Sequence, residues 1–378
     1  MKHKLLIVIS KKGDGIIKIL ILGFAKIKYM PYLNFYLDQL NLKKNDIHLL
    51  YWNRDGEKEI TPENVICHEF AYIMQDDVPK VNKLRGFAKY KKYAIALIHY
   101  EQPDFIIVLH SLPGVLVSKV LLGEFRKKFI FDYRDYTYEN FYLYRKIIYR
   151  LISLSKATFI SSEGFRQKLP AAENIYISHN LPADPLRRRL VAKHFVSAPI
   201  RIGFWGFIRH EQLNRLIIYR LANDDRFELH YFGRKQAIAN SIEAYANQLN
   251  ANNVFFHGSY SPGEQDQFAK EIDIIHNIYS NTEAPSQLLA MTNKYYDGLI
   301  YRLPQLCMHG SYMGENVGNK GLGLVCNPEN PQFADEIWQY YNTLDVIKFS
   351  DCCDKELARI ISEYNDGKAM IQNAINDV

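Results

Sequence analysis

The segment Met291-Thr-Asn-Lys-Tyr-Tyr-Asp-Gly-Leu-Ile-Tyr-Arg-Leu-Pro-Gln-Leu-Cys307 combines a helix start, a helix stop and the beginning of a buried strand. Thr292 or Asn293 is a suitable N-cap, because either side chain can accept a hydrogen bond from a first-turn amide. The apolar spacing that follows predicts a short amphipathic helix, which Pro304 ends. The residues from Pro304 to Met308 predict a buried strand. A helix that leads directly into a buried strand is typical of an α/β fold.

Two charged side chains of this helix indicate a ligand. Lys294 lies in the first turn, and Asp297 follows one turn later on nearly the same face. A helix N-terminus offers free amides and positive potential to an anion, and Lys294 adds a full charge there. Asp297 can accept hydrogen bonds from a diol. The set suits a nucleotide whose diphosphate and ribose lie along the helix. For an isolated helix, the simpler explanation is that Asn293 is an ordinary cap and that Lys294 and Asp297 are solvated surface charges.

Length and composition indicate a two-domain globular protein. The chain has 378 residues, 48% of them hydrophobic and 23% charged, and it is too long for one typical core. The net charge of +6 is compatible with anionic ligands or an anionic membrane surface, but it is too small to indicate nucleic acid. The five cysteines are irregularly spaced, which is typical of reduced thiols in a cytosolic protein and predicts neither disulfides nor a zinc site.

Apolar periodicity predicts alternating strands and helices in both halves of the chain. Two segments compete for the first strand, Leu5–Ser10 and Lys18–Phe24, and we favour the second. Further strands are predicted at His48–Asn53, Asp104–His110, Lys128–Phe131, Thr158–Ser161, Ile175–Asn180, Ile200–Trp205, Phe227–Phe232, Val254–Gly258, Ile272–Ile278 and Leu324–Cys326. Helices include 80–100, 115–125, 141–155 and 354–376, and the glycine-rich segment Gly310–Gly323 predicts a loop. This alternation predicts two doubly wound parallel sheets.

Proline and charge place the domain boundary. The segment Pro182–Pro199 contains three prolines and three consecutive arginines, which is typical of a linker. We therefore predict a first domain over residues 1–185 and a second over 186–350. Residues 351–378 are predicted to be a C-terminal helix that crosses back to the first domain. The apolar runs at 4–9 and 16–25 are too short to span a membrane, so we expect a cytoplasmic protein, with contact at the inner face of the membrane left open.

Strand ends supply further candidate ligand-binding residues, because ligands of open α/β sheets bind beyond the carboxyl ends of the strands. Gly206 ends one strand and allows the backbone to approach a ligand closely, while Arg209 can pair with a diphosphate bidentately. Gly233 and Arg234 end the next strand and are candidates to border a base. Ordinary strand-end turns with surface arginines remain the alternative explanation.

The first half of the chain has its densest polar stretch from Asp132 to Glu139, directly after a strand. Asp135 is a candidate base or orienting group for an acceptor hydroxyl, with Arg134 and Glu139 beside it. Arg134 and Asp132 are equally suited to a structural ion pair. His110, at the end of the preceding strand, adds a further polar group. The basic, aromatic helices at 80–100 and 141–155 suit either an anionic lipid surface or ordinary solvent.

Four stretches together resemble the GT-B glycosyltransferases, particularly the family 4-like enzymes of bacterial capsule and surface-polysaccharide synthesis. They are Gly203-Phe-Trp-Gly-Phe-Ile-Arg209, Tyr231-Phe-Gly233, Phe255-Phe-His-Gly258 with Asp273 downstream, and Asn293-Lys-Tyr-Tyr-Asp297 with Pro304. The resemblance covers nearly all of the second half and, more loosely, the first. It implies two Rossmann-like domains around a cleft, with the nucleotide sugar held mainly by the second domain and the acceptor mainly by the first.

By the same resemblance, Lys294 and Arg209 contact the diphosphate, and Asp297 takes the ribose-binding role usually held by Glu. The family's Glu-x7-Glu pattern would begin at residue 289, which is Leu289 here, so the sugar contacts and the retaining stereochemistry that the family usually shows remain open. The family needs no metal or other cofactor. The resemblance thus implies a metal-independent hexosyltransferase that moves a sugar from a nucleotide diphosphate to a saccharide, lipid-linked in our interpretation. A nucleotide-sugar epimerase and a non-catalytic partner subunit are the rival hypotheses.

Overall fold

The computed structural model of the chain describes residues 15–74, 79–182, 184–191, 199–280 and 288–378. These residues form two compact units. Among these described residues, the first unit comprises those up to Ile160, together with Leu169–Ser178 and Asn365–Val378, and the second comprises Ser161–Lys168 and those from His179 to Tyr364. The division differs from the predicted boundary at residues 185 and 186, because short segments before that point pack with the second unit. The alternative first strand, Leu5–Ser10, lies outside the described residues.

The first unit is built on a parallel sheet that has seven strands in the described residues, in the order β3-β2-β1-β4-β5-β6-β7. The strands are β1 (Lys18–Leu22), β2 (Asp46–Asn53), β3 (Ile66–Ala71), β4 (Phe105–Leu109), β5 (Phe129–Tyr133), β6 (Ala157–Ile160) and β7 (Ile175–Ile177). The helices are α1 (Leu33–Leu37), α2 (Lys80–Glu101), α3 (Ser111–Leu116), α4 (Ser118–Leu122) and α5 (Tyr142–Leu154). Every residue of β4 and β5 is buried, as expected for strands covered on both faces.

The second unit repeats this architecture with six strands in its described part, in the order β10-β9-β8-β11-β12-β13. The strands are β8 (Ile200–Trp205), β9 (Phe227–Phe232), β10 (Val254–Gly258), β11 (Ile274–His276), β12 (Gln305–Met308) and β13 (Gly323–Cys326). The helices are α6 (Glu211–Leu221), α7 (Ala237–Gln248), α8 (Pro262–Phe268), α9 (Asn293–Tyr301), α10 (Tyr312–Asn319), α11 (Phe333–Asn342) and α12 (Val346–Asn376). Short 3₁₀ segments lie at Ile27–Tyr29 and Glu163–Lys168.

The strand order of both sheets confirms the predicted doubly wound α/β architecture. In the first sheet the direction of winding reverses between β1 and β4, and in the second it reverses between β8 and β11. At such a switch point the loops after the two strands diverge, and a crevice opens beyond their carboxyl ends. The topology therefore places one candidate ligand site on each unit.

Two local predictions were wrong, and a third, Thr292 as an N-cap, was right in position but not in its hydrogen bond. Residues 115–125 do not form one helix; α3 begins at Ser111, where the His110 side chain caps it, and the chain breaks at Val117 before α4. The glycine-rich segment after β12 contains α10, because the Ser311 hydroxyl caps the helix by accepting from the amide of Gly314. The hydroxyl of Thr292, the N-cap of α9, makes no capping bond and donates instead to Asn277 Oδ1 at 2.8 Å.

Candidate functional site

The switch point of the second unit contains the buried ammonium group of Lys294. This side chain, in the first turn of α9, is only 5% exposed. Its Nζ donates to the Tyr279 hydroxyl at 2.6 Å and to the Trp205 carbonyl at 3.3 Å, and it lies 4.2 Å from the centre of the Phe204 ring. Trp205 ends β8, and Tyr279 follows β11. The ammonium therefore sits between the two strands at which the sheet reverses direction.

The partners of Lys294 in the described part of the chain are neutral: a hydroxyl, a carbonyl and aromatic rings. A buried cation whose hydrogen-bond partners are neutral loses hydration without a full opposite charge in direct contact, and the charge of Asp297 acts on it only through space. An anion that bound beside it would supply that charge. The buried position differs from the solvated surface charge considered as an alternative, and it favours an anionic ligand at this point.

Asp297, the predicted ribose-binding residue, is also buried, at 8% exposure. Its Oδ2 accepts a hydrogen bond of 2.8 Å from the indole N–H of Trp205. Burial raises the pKa of Asp297, although the Trp205 hydrogen bond and the positive charges of Arg188 and Lys294 act in the opposite direction. The structure thus ties Asp297 to the end of β8, and its ribose-binding role stays a prediction.

The ends of β8 and β9 approach each other through two glycines. Gly206 has a φ of +110°, a conformation that side chains rarely adopt, and its amide donates to the Phe232 carbonyl at 2.9 Å. A Cβ on Gly233 would collide with the carbonyl oxygen of Gly206. The backbone therefore requires glycine at both positions. Because neither residue has a side chain, the surface at the two strand ends is open.

Two arginines border this surface. The guanidinium carbons of Arg209 and Arg234 each lie 5.2 Å from the centre of the Phe207 ring, and all three side chains are exposed. The ring holds both cations close together beyond the strand ends. Asn293, at the first position of α9, is also exposed. The predicted residues of the second unit therefore lie at the carboxyl ends of its strands, and their contacts with a nucleotide stay predictions.

The first unit has a cavity of about 300 Å³ at its own switch point. Phe24 and Ala25 follow β1, His110 follows β4, and all three line the cavity. The remaining wall is largely aromatic and basic, formed by Tyr32, Arg54, Met74, Lys83, Phe87, Leu112, Thr137 and Tyr138. An aromatic wall with a few cations suits a ligand that combines sugar-like or apolar faces with negative charge.

His110 and Asp135 form a hydrogen-bonded pair beside this cavity. The distance from His110 Nε2 to Asp135 Oδ2 is 3.3 Å, and His110 Nδ1 accepts from the Leu112 amide at 3.4 Å. In this arrangement Nε2 carries the proton and donates to the carboxylate, while 56% of the Asp135 side chain is exposed. His110 has a φ of +86°, a strained conformation of the kind that is often retained at functional sites.

Arg134 and Glu139 have structural partners. Arg134 is buried, donates to Asp132 Oδ2 at 3.0 Å and to Ser178 Oγ at 3.1 Å, which agrees with the structural ion pair considered as the alternative. Glu139 is also buried and accepts from the Tyr133 hydroxyl at 2.8 Å. These contacts fix the loop after β5, and neither residue is among those that line the cavity. Their acceptor-side role stays a prediction.

Several residues of both sites were not identified from the sequence. Phe207 and Tyr279 follow strand ends, a position that would have pointed to both. Arg54 directly follows β2 and had the same signal, whereas Tyr32 and Lys83 had none, because they come from a loop and a helix that only the fold brings to the cavity.

No protein-family model matches the chain, and no curated protein matches it. Solved structures are similar over almost the whole chain. The sucrose-phosphate synthase of Thermosynechococcus elongatus has a TM-score of 0.68 at 10% identity, covering 94% of this chain and 96% of that one. HepE of Anabaena, solved with UDP and glucose, has a TM-score of 0.62 at 14% identity, covering 96% and 98%. A glycosyltransferase of Rickettsia africae ESF-5 has a TM-score of 0.63 at 12% identity, covering 96% and 100%.

The chain has the GT-B fold. At 10–14% sequence identity, structural similarity establishes the fold but not the reaction. In the described residues, no helix combines the length and apolar character that crossing a bilayer requires.

Proposed function

We propose that the protein is a metal-independent glycosyltransferase that moves a hexosyl group from a nucleotide diphosphate sugar to a saccharide acceptor. The single observation that carries the proposal is the buried Lys294 ammonium at the switch point of the second unit, held by neutral partners in the described residues. The GT-B fold and the exposed pair Arg209 and Arg234 support it. Because HepE of Anabaena was solved with UDP and glucose, a UDP-sugar is the first donor to test.

In this proposal the second unit binds the donor. Lys294, Arg209 and the first-turn amides of α9 stabilise the negative charge that develops on the departing diphosphate, in place of a metal ion. Asp297 binds the ribose. The bond between the anomeric carbon and the diphosphate oxygen breaks, and a new bond forms between that carbon and an acceptor hydroxyl oxygen.

The first unit binds the acceptor. The aromatic wall of its cavity stacks against sugar rings, and Arg54 and Lys83 attract an acceptor phosphate. Asp135, hydrogen-bonded by His110, accepts the proton of the attacking hydroxyl. Aromatic rings for the sugar and two cations for a phosphate support, as the acceptor, a lipid-linked saccharide of bacterial surface-polysaccharide synthesis.

An exposed apolar surface on the first unit supports association with the inner face of the cell membrane. Phe141, Tyr142 and Leu143 are 69%, 64% and 73% exposed at the start of α5, which continues with Arg145, Lys146 and Arg150. Aromatic and basic side chains on one short segment suit an anionic lipid surface. Co-sedimentation with anionic and with neutral vesicles tests this part of the proposal.

The decisive experiment replaces Lys294 by methionine, which keeps the shape of the side chain and removes its charge. Because the hydrogen-bond partners of the ammonium are neutral, while its charge also acts on the buried Asp297 carboxylate, we expect Lys294→Met to unfold at a urea concentration close to that of the parent protein. Loss of a charge-assisted contact, typically about 1.5–3 kcal/mol, should weaken binding of the cognate nucleoside diphosphate by roughly 10- to 150-fold. Isothermal titration with UDP, GDP, dTDP and CDP measures the affinity.

The matched control is Lys270→Met, an exposed lysine of the same unit. It should bind nucleotide as the parent protein does. Lys294→Met that binds nucleotide normally would contradict the donor site. Absence of binding by the parent protein to any of the four nucleotides would favour a non-catalytic partner subunit instead.

A further inference from the structure

Two histidines and a glutamate converge at the amino end of the first sheet. His48 lies on β2, His68 lies on β3, and Glu101 is the last residue of α2. Their possible ligand atoms all lie within 4.8 Å of one another. In the part of the chain that the structure describes, this is the one group of three or more His, Cys, Asp or Glu residues with such convergence. None of the three belongs to the sites described above.

The distances within this cluster are close to those of a tetrahedral metal site. His48 Nδ1 lies 2.8 Å from His68 Nε2 and 3.5 Å from Glu101 Oε2, and His68 Nε2 lies 3.8 Å from Glu101 Oε1. Metal–ligand bonds of about 2.0–2.1 Å place neighbouring ligand atoms of a tetrahedron about 3.3 Å apart. The two contacts of Glu101 use different carboxylate oxygens, so a rotation of the carboxylate that presents one oxygen to both rings, together with shifts of about half an ångström in the ring nitrogens, would seat three ligand atoms around one ion.

The surrounding groups orient the three ligands. His48 Nε2 donates to Asp46 Oδ1 at 3.1 Å, which leaves the lone pair of Nδ1 directed at the cluster. Lys18 Nζ donates to Glu101 Oε2 at 3.0 Å and lies 3.5 Å from Asp46, so that its positive charge is balanced by two carboxylates.

We propose that His48, His68 and Glu101 bind one divalent transition-metal ion, Zn²⁺ by the chemistry of the ligands, with water as the fourth ligand. Binding requires His68 to carry its proton on Nδ1, so that Nε2 faces the ion. The ion joins β2, β3 and the end of α2, and it stabilises the first unit. It takes no part in transfer, because Arg54 of the cavity lies beyond the other end of β2, six residues and roughly 20 Å from His48.

The second unit contains a similar histidine pair that provides a matched control. His230 Nδ1 lies 3.0 Å from His257 Nε2 on β9 and β10, and Glu228 contacts the far nitrogen of His230 at 3.3 Å. No carboxylate takes the place of Glu101 among the described residues there. The two rings are stacked in both pairs, whereas among the described residues only the pair in the first unit has a third ligand.

The test uses the full chain, stripped with EDTA and then titrated with Zn²⁺ or Mg²⁺. We expect one Zn²⁺ per chain by elemental analysis after gel filtration, and no Mg²⁺, because magnesium prefers oxygen ligands. At 100 times the dissociation constant, Zn²⁺ should raise the unfolding midpoint of the first unit by about 5–10 °C. Co²⁺ in place of Zn²⁺ should give the visible absorption of a four-coordinate site.

Substitutions identify the ligands. His68→Gln and Glu101→Gln should each weaken Zn²⁺ binding at least about 100-fold, whereas His257→Gln should leave it unchanged. Absence of stoichiometric Zn²⁺ in the parent protein, unchanged binding by folded His68→Gln, or loss of binding in His257→Gln would each overturn the proposal. If the His68 and Glu101 variants do not fold, the Co²⁺ spectrum of the parent protein decides, and a six-coordinate spectrum would overturn it. None of these results depends on glycosyl transfer.

Discussion

His276, on β11 beside Lys294, makes the stability of the second unit depend on pH. The ring is 1% exposed, its Nε2 donates to Asn214 Oδ1 at 3.2 Å, and its Nδ1 accepts from the Ile278 amide at 3.3 Å. Both nitrogens are therefore satisfied in the neutral form. Burial, followed by the positive charges of Lys294 and His210, lowers the pKa of His276 to about 3.

The size of the effect follows from the difference between the pKa of His276 in the unfolded chain and its pKa in the folded protein. In the unfolded chain a histidine has a pKa of about 6.5, so below that pH the unfolded state binds a proton that the folded state does not. The contribution is fully present above pH 6.5 and is lost as the pH falls towards 3. One pKa unit corresponds to about 1.4 kcal/mol, so lowering the pH from 7 to 5 should remove about 2 kcal/mol of unfolding free energy.

Urea unfolding at pH 7 and pH 5 measures this loss. The chain has three tryptophans, and a Trp52→Phe background leaves Trp205 and Trp338 to report on the second unit by fluorescence. His276→Gln should lower stability at pH 7 and reduce the difference between the two pH values by about 2 kcal/mol. His99→Gln, at an exposed position of α2, is the control. An equal pH difference with and without His276 would refute the reasoning.

Two further substitutions test the packing around the sites. Gly233→Ala should destabilise the second unit by about 1–3 kcal/mol, because its Cβ collides with the backbone of Gly206, and urea unfolding of that unit measures the loss. Arg134→Ala should destabilise the first unit by about 3 kcal/mol, because it removes the ion-pair partner of the buried Asp132 carboxylate. Calorimetry checks the second value, and Asp132→Asn in the same background should recover part of it if the lost charge pairing is the cause.

Strands were predictable from the sequence where an apolar run ends at a glycine. The predicted bounds of β8, β9 and β10 agree with the structure, because Gly206 and Gly233 end two of these runs and Gly258 closes the third. The strand β3 was missed. It lies at the edge of its sheet, and its half-buried Cys67 and His68 and its exposed Glu69 interrupt the apolar pattern that a buried strand shows.

The sequence predicted which residues form the candidate site, but not that their side chains are buried. Lys294 and Asp297 stood out because a helix start brings both onto one face. Their burial depends on Tyr279 and Trp205, which are respectively 15 residues from Lys294 and 92 residues from Asp297. Local patterns contain no information about partners at such separations. The alternative of solvated surface charges therefore became distinguishable only once the fold was known.

The last residues of the chain have a consequence for synthesis on the ribosome. Residues 365–378 belong to the first unit, where Gly367 lies against Phe35 and Phe159, and Asp377 pairs with Lys156 at 2.6 Å. Translation delivers the seven strands of that unit first, but this closing segment emerges only after the whole second unit. Until residues 365–378 have been synthesised, part of the core of the nascent first unit therefore stays exposed to solvent. Premature termination anywhere in the second half would release it in that state, as a substrate for chaperones and proteases.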